Sequence, residues 1–503
     1  MSSFRDRVEE YVTSSAHLSK KHIHPRLAKM FEMGGMNTVF TRAEGQYVWD
    51  QHGDRYLDWL AGGGVYFMGR NNPEIAQVLQ DVTAMNLPNL MVVNSSVLGG
   101  MLAEKLIALA GPQFTKVQYS NSGSEATEVA VRFARQITRR RRFLFLEGAF
   151  HGRSYAAISM CGFGAMRESI EPAMPTCTPV KAGDIEQLRR ELKYGDVAAF
   201  VFEPLQGMTG QVVDPNYLRE AEALCRQYGT VMIADEIQCG LGRTGSWFMC
   251  PEIGIRPDMM TISKTLSGGY APVGAVMVSE DIYEKVYAGF SSGLVYFSTF
   301  AENNLAMAAG IATLEFLESV DAPAMAKEKG AILRAGLEAI QEKYDVIERL
   351  EGMGLMQTIY FRSSASPGLM AQQEAMRAFD SGAFAAAVHV DLYRRQKVIA
   401  QIPGPGLNAI KVLPPVTTSL EDIHYFLTAF EDTISRFYQA TTGPLASLAG
   451  GAVTQMTKQL RDAIPGGSMP DLIAGGLQAA AAAVSPQMSY TSVEEKKTHL
   501  SPA

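Results

Sequence analysis

The sequence predicts an α/β protein with a mostly parallel central sheet in a large domain and a smaller α+β domain. Between Leu98 and Ala312, short apolar runs of strand length recur between stretches of helical periodicity. This alternation is typical of a parallel sheet covered by helices. Residues 40–58 combine aromatic and β-branched runs with turn residues, which is the pattern of a hairpin and is assigned to the smaller domain.

The individual elements follow in chain order. The apolar runs predict strands at Val117–Tyr119, Phe143–Leu146, Val197–Phe202, Val231–Ala234, Met259–Ile262 and Ala275–Val278. We therefore expect an N-terminal part of the small domain at 1–80, the large domain at 81–330 and the C-terminal part of the small domain at 331–438. The tail at 439–503 is rich in Ala and Gly and lacks a strong apolar face. We expect it to be disordered or loosely helical, with an oligomer-stabilising arm as the alternative.

Composition excludes several classes of protein. Of 503 residues, 47% are hydrophobic and 19% charged, which allows a large core. The net charge of −7 provides no general basic surface for nucleic acid. The five cysteines form no CxxC pair and no Cys/His metal spacing, so we expect free thiols and no metal. A charged N-terminus and the lack of about 18 consecutive apolar residues lead us to expect a cytoplasmic protein without membrane contact.

A turn of small residues follows the first of these strands. Residues 120–126 read Ser-Asn-Ser-Gly-Ser-Glu-Ala and lead into apolar positions at helical spacing. Backbone N–H groups and the positive end of the helix dipole suit a phosphate there, with hydroxyls from Ser122 and Ser124. An ordinary capped helix start is the alternative.

Two later strands end in an acid and a lysine. Asp235 follows one apolar run directly, and Lys264 follows the next with one residue between. Sites in such sheets lie at the carboxyl ends of the strands. Each residue alone is compatible with a surface ion pair. Together with the phosphate turn they favour a Schiff base between Lys264 and an aldehyde cofactor, with Asp235 pairing the protonated ring nitrogen.

At this point the sequence resembles the class III family of pyridoxal-phosphate aminotransferases, from about Thr38 to Phe430. Six ordered blocks carry the resemblance: Asn121–Ala126, Phe150–Arg153, Glu203–Gly207, Asp235–Gly245, Ser263–Lys264 and Leu413–Pro415. The resemblance implies a fold-type-I enzyme with pyridoxal 5'-phosphate as its cofactor.

The resemblance also implies roles for single residues. Lys264 would first hold the cofactor and then move a proton between substrate and cofactor. Asp235 would bind the ring nitrogen, and Gln238 would lie near the ring oxygen. Thr299 would reach the phosphate of the partner subunit, which implies a homodimer with shared active sites. The other implied cofactor contacts are Ser122, Gly123 and Ser124 at the phosphate, Phe150 stacked on the ring, His151 and Glu203.

The chain departs from the family where many members bind a substrate carboxylate. Lys411 stands at the position of an Arg, and an ammonium lacks the planar fork that holds a carboxylate by two hydrogen bonds. Met208 stands where some members have a Glu that neutralises that Arg. We therefore predict that at least one substrate lacks an α-carboxylate. Tyr66 or Phe67, after a glycine run, is predicted to line a roomier pocket, unless both are core aromatics.

The sequence thus predicts an aminotransferase that moves an amino group between an amine or amino-acid donor and a carbonyl acceptor by a ping-pong mechanism. A decarboxylase, racemase or aminomutase with the same lysine and acid is the first alternative. A catalytically silent scaffold is the second, although a scaffold has no use for both Lys264 and Asp235. The loop after Thr299 carries Glu302 close to the predicted phosphate, where a second negative charge would be repulsive.

Overall fold

The computed structural model describes residues 3–12, 14–90, 95–170, 174, 176–289, 296–378 and 380–439. Residues 440–503, which include nearly all of the predicted tail, lie outside the described residues. The strands are β1 (Phe40–Glu44), β2 (Tyr47–Asp50), β3 (Arg55–Asp58), β4 (Lys116–Ser120), β5 (Arg142–Leu146), β6 (Cys177–Val180), β7 (Val197–Phe202), β8 (Val231–Asp235), β9 (Met259–Ile262), β10 (Gly274–Val278), β11 (Ile347–Met353), β12 (Met356–Phe361), β13 (Val398–Ile399) and β14 (Ala409–Val412).

Helices surround these strands. They are α1 (Phe4–Val12), α2 (Ser15–His22), α3 (Pro25–Gly34), α4 (Ala61–Gly64), α5 (Pro73–Ala84), α6 (Val97–Ala110), α7 (Gly123–Thr138), α8 (Tyr155–Ser159), α9 (Gly164–Arg167), α10 (Ile185–Leu192), α11 (Pro215–Tyr228), α12 (Met249–Glu252), α13 (Glu280–Val286), α14 (Asn304–Ser319), α15 (Ala322–Lys343), α16 (Pro367–Arg377), α17 (Ala383–Arg394) and α18 (Leu420–Gln439). Among the described residues, we find no helix whose length and apolar character suffice to span a bilayer.

The large sheet has the strand order β4-β10-β9-β8-β7-β5-β6. β10 is antiparallel to both of its neighbours, and the other strands are parallel to one another. This confirms the predicted α/β fold, and each of the six apolar runs forms a strand. The sequence analysis missed β6, because this edge strand has only four residues and includes Pro179.

Burial on both faces explains why the sequence shows these strands as continuous apolar runs. All six residues of β7 are buried, as are all five of β8. Helix α7 covers one side of the sheet with Val129 and Phe133 on its buried face. A parallel sheet between helix layers leaves no strand face for polar side chains, so those side chains collect at the strand ends.

Of the two smaller sheets, one combines strands from both ends of the described chain. The predicted hairpin is confirmed as part of the antiparallel strands β1, β2 and β3, and the distant β13 adds in parallel to β3. β11, β12 and β14 form an antiparallel sheet. Trp59 and Phe426 lie in one core cluster with ring centroids 4.4 Å apart. The N-terminal and C-terminal parts therefore share a core; the domain boundaries themselves stay a prediction.

Arg243 connects both of these parts to the large sheet. Its side chain has no exposed surface and donates to the carbonyl oxygens of Gly64, Leu355 and Pro414 at 3.0, 3.1 and 3.3 Å. Burial lowers the pKa of Arg243 to about 9. The guanidinium also stacks on Phe67, 4.4 Å from the ring centroid. One buried cation thus fixes three distant segments around the same edge of the sheet.

Trp59→Ala tests the shared core. Trp59 is 0% exposed, so we expect the substitution to lower the free energy of unfolding by about 3–5 kcal/mol, through lost burial and the cavity left behind. Thermal melting of the cofactor-free protein measures the effect. Tyr194→Ala is the control, since Tyr194 is 75% exposed and its removal should change the melting temperature little. Equal shifts for the two variants would contradict a core shared by the two chain ends.

Candidate active site

The predicted site residues meet at one edge of the large sheet. The strands β4, β5, β7, β8 and β9 run parallel, so their carboxyl ends lie at the same edge. The segments that directly follow these ends contain Ser122, Gly123, Ser124, Phe150, His151, Glu203, Gln238 and Lys264, and Asp235 is the last residue of β8. Parallel topology therefore brings together residues that lie more than a hundred positions apart in sequence.

Asp235 is buried and held from two sides. Its Oδ2 lies 2.7 Å from Nδ1 of His151, and its Oδ1 accepts the Ile237 N–H at 3.0 Å. Burial favours a lower pKa for His151, but the hydrogen bond and charge of Asp235, with the charge of Glu203, raise it above its usual value. Among the described residues, the buried Nε2 of His151 has no partner. The carboxylate of Asp235 is thus fixed in place by a histidine with elevated proton affinity.

Glu203 joins two loops at this edge. One carboxylate oxygen accepts the Phe150 N–H at 2.9 Å and the other accepts the Gly207 N–H at 2.7 Å. Burial raises the pKa of Glu203 above its usual range, and these N–H groups and His151 act in the opposite direction. Both oxygens are occupied by backbone donors, so the side chain orients Phe150 and the turn at Gly207. A contact between Glu203 and the cofactor stays a prediction.

Lys264 has the features of a reactive amine. Its φ of 37° lies in the left-handed region that non-glycine residues rarely adopt. Burial lowers its pKa below the usual value, although the charges of Asp235 and Glu203 act in the opposite direction. Within the described part of the chain, no hydrogen bond engages its Nζ. A lysine amine of this kind is neutral at lower pH than a surface lysine and is free to react.

The predicted phosphate turn forms the first turn of α7. The Ser122 hydroxyl caps this helix by accepting the Glu125 N–H at 3.1 Å, which leaves the N–H groups of Gly123 and Ser124 without an acceptor among the described residues. A Cβ on Gly123 would lie 2.8 Å from Cδ1 of Ile237, so a larger residue here would displace that side chain. The Ser124 hydroxyl accepts the N–H groups of Arg153 and Ser154. The backbone, more than this hydroxyl, is therefore free for an anion.

The residues predicted near the substrate divide into buried and accessible ones. Lys411 and Phe67 are completely buried, whereas Tyr66 and Met208 are partly exposed. Phe67 packs in a core cluster beneath the guanidinium of Arg243, as the alternative of a core aromatic requires. The Tyr66 ring instead lies against Arg70, 4.1 Å from its guanidinium carbon.

Thr299 follows Ser298, whose hydroxyl accepts from Nδ2 of Asn121 at 2.6 Å, so its loop borders the phosphate turn. It is exposed and lines a cavity of about 990 Å³ together with Glu302. A Cβ on Gly99 would lie 3.0 Å from Oε2 of Glu302, so this carboxylate lies against the start of α6. The contact of Thr299 with the phosphate of the partner subunit stays a prediction.

Two contributors were not recognised in the sequence. Arg243 stands inside the block Asp235–Gly245, but the sequence analysis assigned no role to it. An arginine among small residues was the feature that could have marked it. Ser154 was also missed; its Oγ lies 2.7 Å from Oγ of Ser124. Nothing local in the sequence marks Ser154, because the contact depends on how the loop after β5 folds back on α7.

These groups fit pyridoxal phosphate one by one. The cofactor needs an unprotonated amine for its aldehyde, an anion for its ring nitrogen and donors for its phosphate. Lys264 provides the amine, Asp235 the carboxylate, and the N–H groups of Gly123 and Ser124 the donors. A parallel sheet with this set at its carboxyl edge defines a pyridoxal-phosphate-dependent enzyme of fold type I.

Comparison with known proteins identifies the family. The model of the family "Aminotransferase class-III" matches residues 31–434, and the chain belongs to this family. A putrescine aminotransferase from Pectobacterium atrosepticum is 32% identical over 415 residues, which cover 80% of this chain and 84% of that protein. Aminotransferase PigE from a Serratia species is 29% identical over 452 residues, 83% of this chain. The match covers 53% of the Serratia protein, so the chain spans about half its length.

A solved structure agrees with this assignment. An amine transaminase from an uncultivated Pseudomonas species, in its PLP-bound form, is 25% identical with a TM-score of 0.72. The match covers 79% of this chain and 95% of that chain. The chain is therefore a class III aminotransferase, and its cofactor is pyridoxal phosphate.

The lowered pKa of Lys264 predicts how cofactor uptake depends on pH. The cofactor-free protein should take up pyridoxal phosphate at an undiminished rate until the pH falls through this lowered pKa, so the midpoint should lie below 10.5, the value of an ordinary lysine. Absorbance changes after mixing at a series of pH values measure the rate. Lys285→Ala, which changes an exposed lysine, should leave the curve unchanged. A midpoint at the ordinary lysine value would refute the effect of burial.

Proposed function

We propose that this aminotransferase uses an amine without an α-carboxylate as at least one of its substrates. It moves the amino group from such a donor to an aldehyde or ketone acceptor in two half-reactions. One observation carries the proposal. Lys411, which stands at the position of the usual carboxylate-binding Arg, is 0% exposed. A cation with no accessible surface offers nothing to a substrate carboxylate.

The hydrogen bonds of Lys411 support this reading. Its ammonium donates to the carbonyl oxygen of Gly207 and, at 2.9 Å, to Oε1 of Gln238. Burial lowers the pKa of Lys411 to about 7. The N–H donors of Lys411 are thus used by neutral acceptors, and its positive charge is partly lost near neutral pH. Both effects weaken its attraction for a carboxylate.

The wall next to Lys411 is apolar. A Cβ on Gly404 would lie 2.9 Å from Cε of Met208, 3.3 Å from Cδ1 of Leu407 and 3.4 Å from Cε1 of Phe163, so three apolar side chains border this glycine. A flexible thioether beside an aromatic ring suits an aliphatic chain better than a charged group. The named substrate of the Pectobacterium relative, putrescine, is likewise an amine without a carboxylate.

The residues of the site divide the work of the reaction. When bound, pyridoxal phosphate supplies an aldehyde that takes up the amino group and a ring that withdraws electrons. The carboxylate of Asp235, fixed by His151 and the Ile237 N–H, binds the ring nitrogen and keeps it protonated. Lys264 would hold the cofactor by its aldehyde, and its free Nζ would take the proton from the substrate carbon that bears the nitrogen. The N–H groups at the start of α7 hold the phosphate.

We also propose that the protein is a homodimer in which Thr299 completes the partner's site. Thr299 is exposed beside a large cavity, as expected for a residue that acts across an interface. We assign the protein to the cytoplasm, because all five cysteines are free and four of them are buried, so that the chain uses no disulfide.

A panel of amines tests the proposed substrate class. Diamines and long-chain monoamines should discharge the absorbance of the cofactor-loaded protein at least about tenfold faster than glutamate or alanine, because only the amino acids bring an unpaired carboxylate into the site. Stopped-flow absorbance gives the rates. Lys264→Ala is the chemical control and should reduce every rate by about 10²- to 10⁴-fold, since it removes the general base. Discharge by amino acids alone would refute the proposal.

Mixed dimers test the shared site. Neither Lys264→Ala nor Thr299→Ala should support full turnover alone, the second because cofactor binding is weakened. Refolding the two variants together should restore activity, because one site of the mixed dimer then contains both native residues. Light scattering after size-exclusion chromatography checks for the dimer. A mixture as inactive as its components would place Thr299 in its own chain's site or outside any site.

A further inference from the structure

We propose that Lys411 is a positioning residue that fixes the side-chain amide of Gln238 in one orientation. The inference rests on the cofactor site and does not depend on which amine the enzyme accepts. It replaces the prediction that Lys411 contacts the substrate, and it gives a role to a buried cation, which is costly to desolvate.

The hydrogen bonds around Gln238 select one of its two amide orientations. Oε1 can only accept and Nε2 can only donate. Nζ of Lys411 donates to Oε1 at 2.9 Å, and Nε2 donates to the carbonyl oxygen of Gly63 at 2.7 Å. If the amide were flipped, two donors would face each other at Lys411 and two acceptors at Gly63. The lysine and the glycine carbonyl therefore hold the amide from opposite ends.

This orientation leaves one donor available. Nε2 carries two hydrogens, and one of them is used by Gly63. The other has no acceptor among the residues that the structure describes. Gln238 follows Asp235 by three positions at the carboxyl end of β8, so its free N–H belongs to the same edge as the acid and the lysine. An N–H donor at this edge suits the ring oxygen of pyridoxal phosphate.

The surroundings of Lys411 favour positioning over charge. Burial lowers its pKa, the nearby cations Lys264 and Arg243 lower it further, and Glu203 acts in the opposite direction. An amine keeps two N–H donors when it loses its proton, which is enough for its two acceptors. The hold on Gln238 therefore persists in both protonation states. The second bond, to the carbonyl oxygen of Gly207, fixes the turn that carries Met208.

Lys411→Met tests the inference through the spectrum of the bound cofactor. A freed Gln238 no longer directs its N–H at the ring oxygen, which then becomes more basic. The pH midpoint of the absorbance change should rise by about one unit, the size of one hydrogen bond to a charged group. The dissociation constant for pyridoxal phosphate should rise roughly tenfold when the cofactor-free protein is titrated. Lys411→Arg keeps N–H donors at this position and should change both quantities by less than Lys411→Met does.

A second substitution shows whether Lys411 acts through Gln238. In a Gln238→Ala background, adding Lys411→Met should leave the midpoint where Gln238→Ala alone placed it. An additional shift of the same size would mean that the charge of Lys411 acts directly, and would overturn the proposal. So would an unchanged spectrum combined with a selective loss of discharge by glutamate, because that result identifies a substrate anchor.

Separate measurements control for a loss of folding in the variants. Circular dichroism and the melting temperature of the cofactor-free variants show whether the fold is kept. If Lys411→Met does not fold, Lys411→Leu takes its place, because it also removes every donor to Oε1 of Gln238. Its midpoint should rise as well, and a wild-type midpoint would overturn the inference. The spectral midpoint and the dissociation constant do not depend on which amine the enzyme accepts, so the role of Lys411 and the substrate class can fail independently.

Discussion

The burial of several charged side chains at one edge of the large sheet is the constraint on which the site depends. An ionised group removed from water costs several kcal/mol unless it finds polar partners. Three of these side chains have found such partners. Asp235 has His151 and a backbone N–H, Glu203 has two backbone N–H groups, and Arg243 has three carbonyl oxygens. The loops around the edge are shaped by the need to supply these partners.

Because the partners come from distant segments, the large sheet cannot complete the site alone. Gly63 and Gly64, between the small N-terminal sheet and α5, accept from Gln238 and Arg243. Pro414, just after β14, accepts from the same arginine. The two ends of the described chain are therefore tied to the cofactor edge by hydrogen bonds to buried charged and amide groups.

The same physics connects the structure with substrate choice. An arginine at position 411 would present a planar fork to a carboxylate. The lysine instead donates to the carbonyl oxygen of Gly207 and to Oε1 of Gln238. Met208 then adds an apolar wall in place of a second charge. In our proposal, Lys411 binds Gly207 and Gln238 instead of a substrate carboxylate. Carboxylate recognition is therefore lost, and the cofactor site stays intact.

The sequence by itself determined the fold class, the six apolar strands and the positions of Asp235, Lys264 and the turn before α7. Those features depend on local periodicity and on the rule that parallel strands end at one edge. The sequence analysis did not predict β6, because four residues that include a proline show too little strand periodicity. Only the tertiary structure decided that Phe67 is buried while Tyr66 is partly exposed, and that Lys411 faces inward. The partners of Lys411 lie 204 and 173 positions away in sequence, and no local pattern encodes contacts of that range.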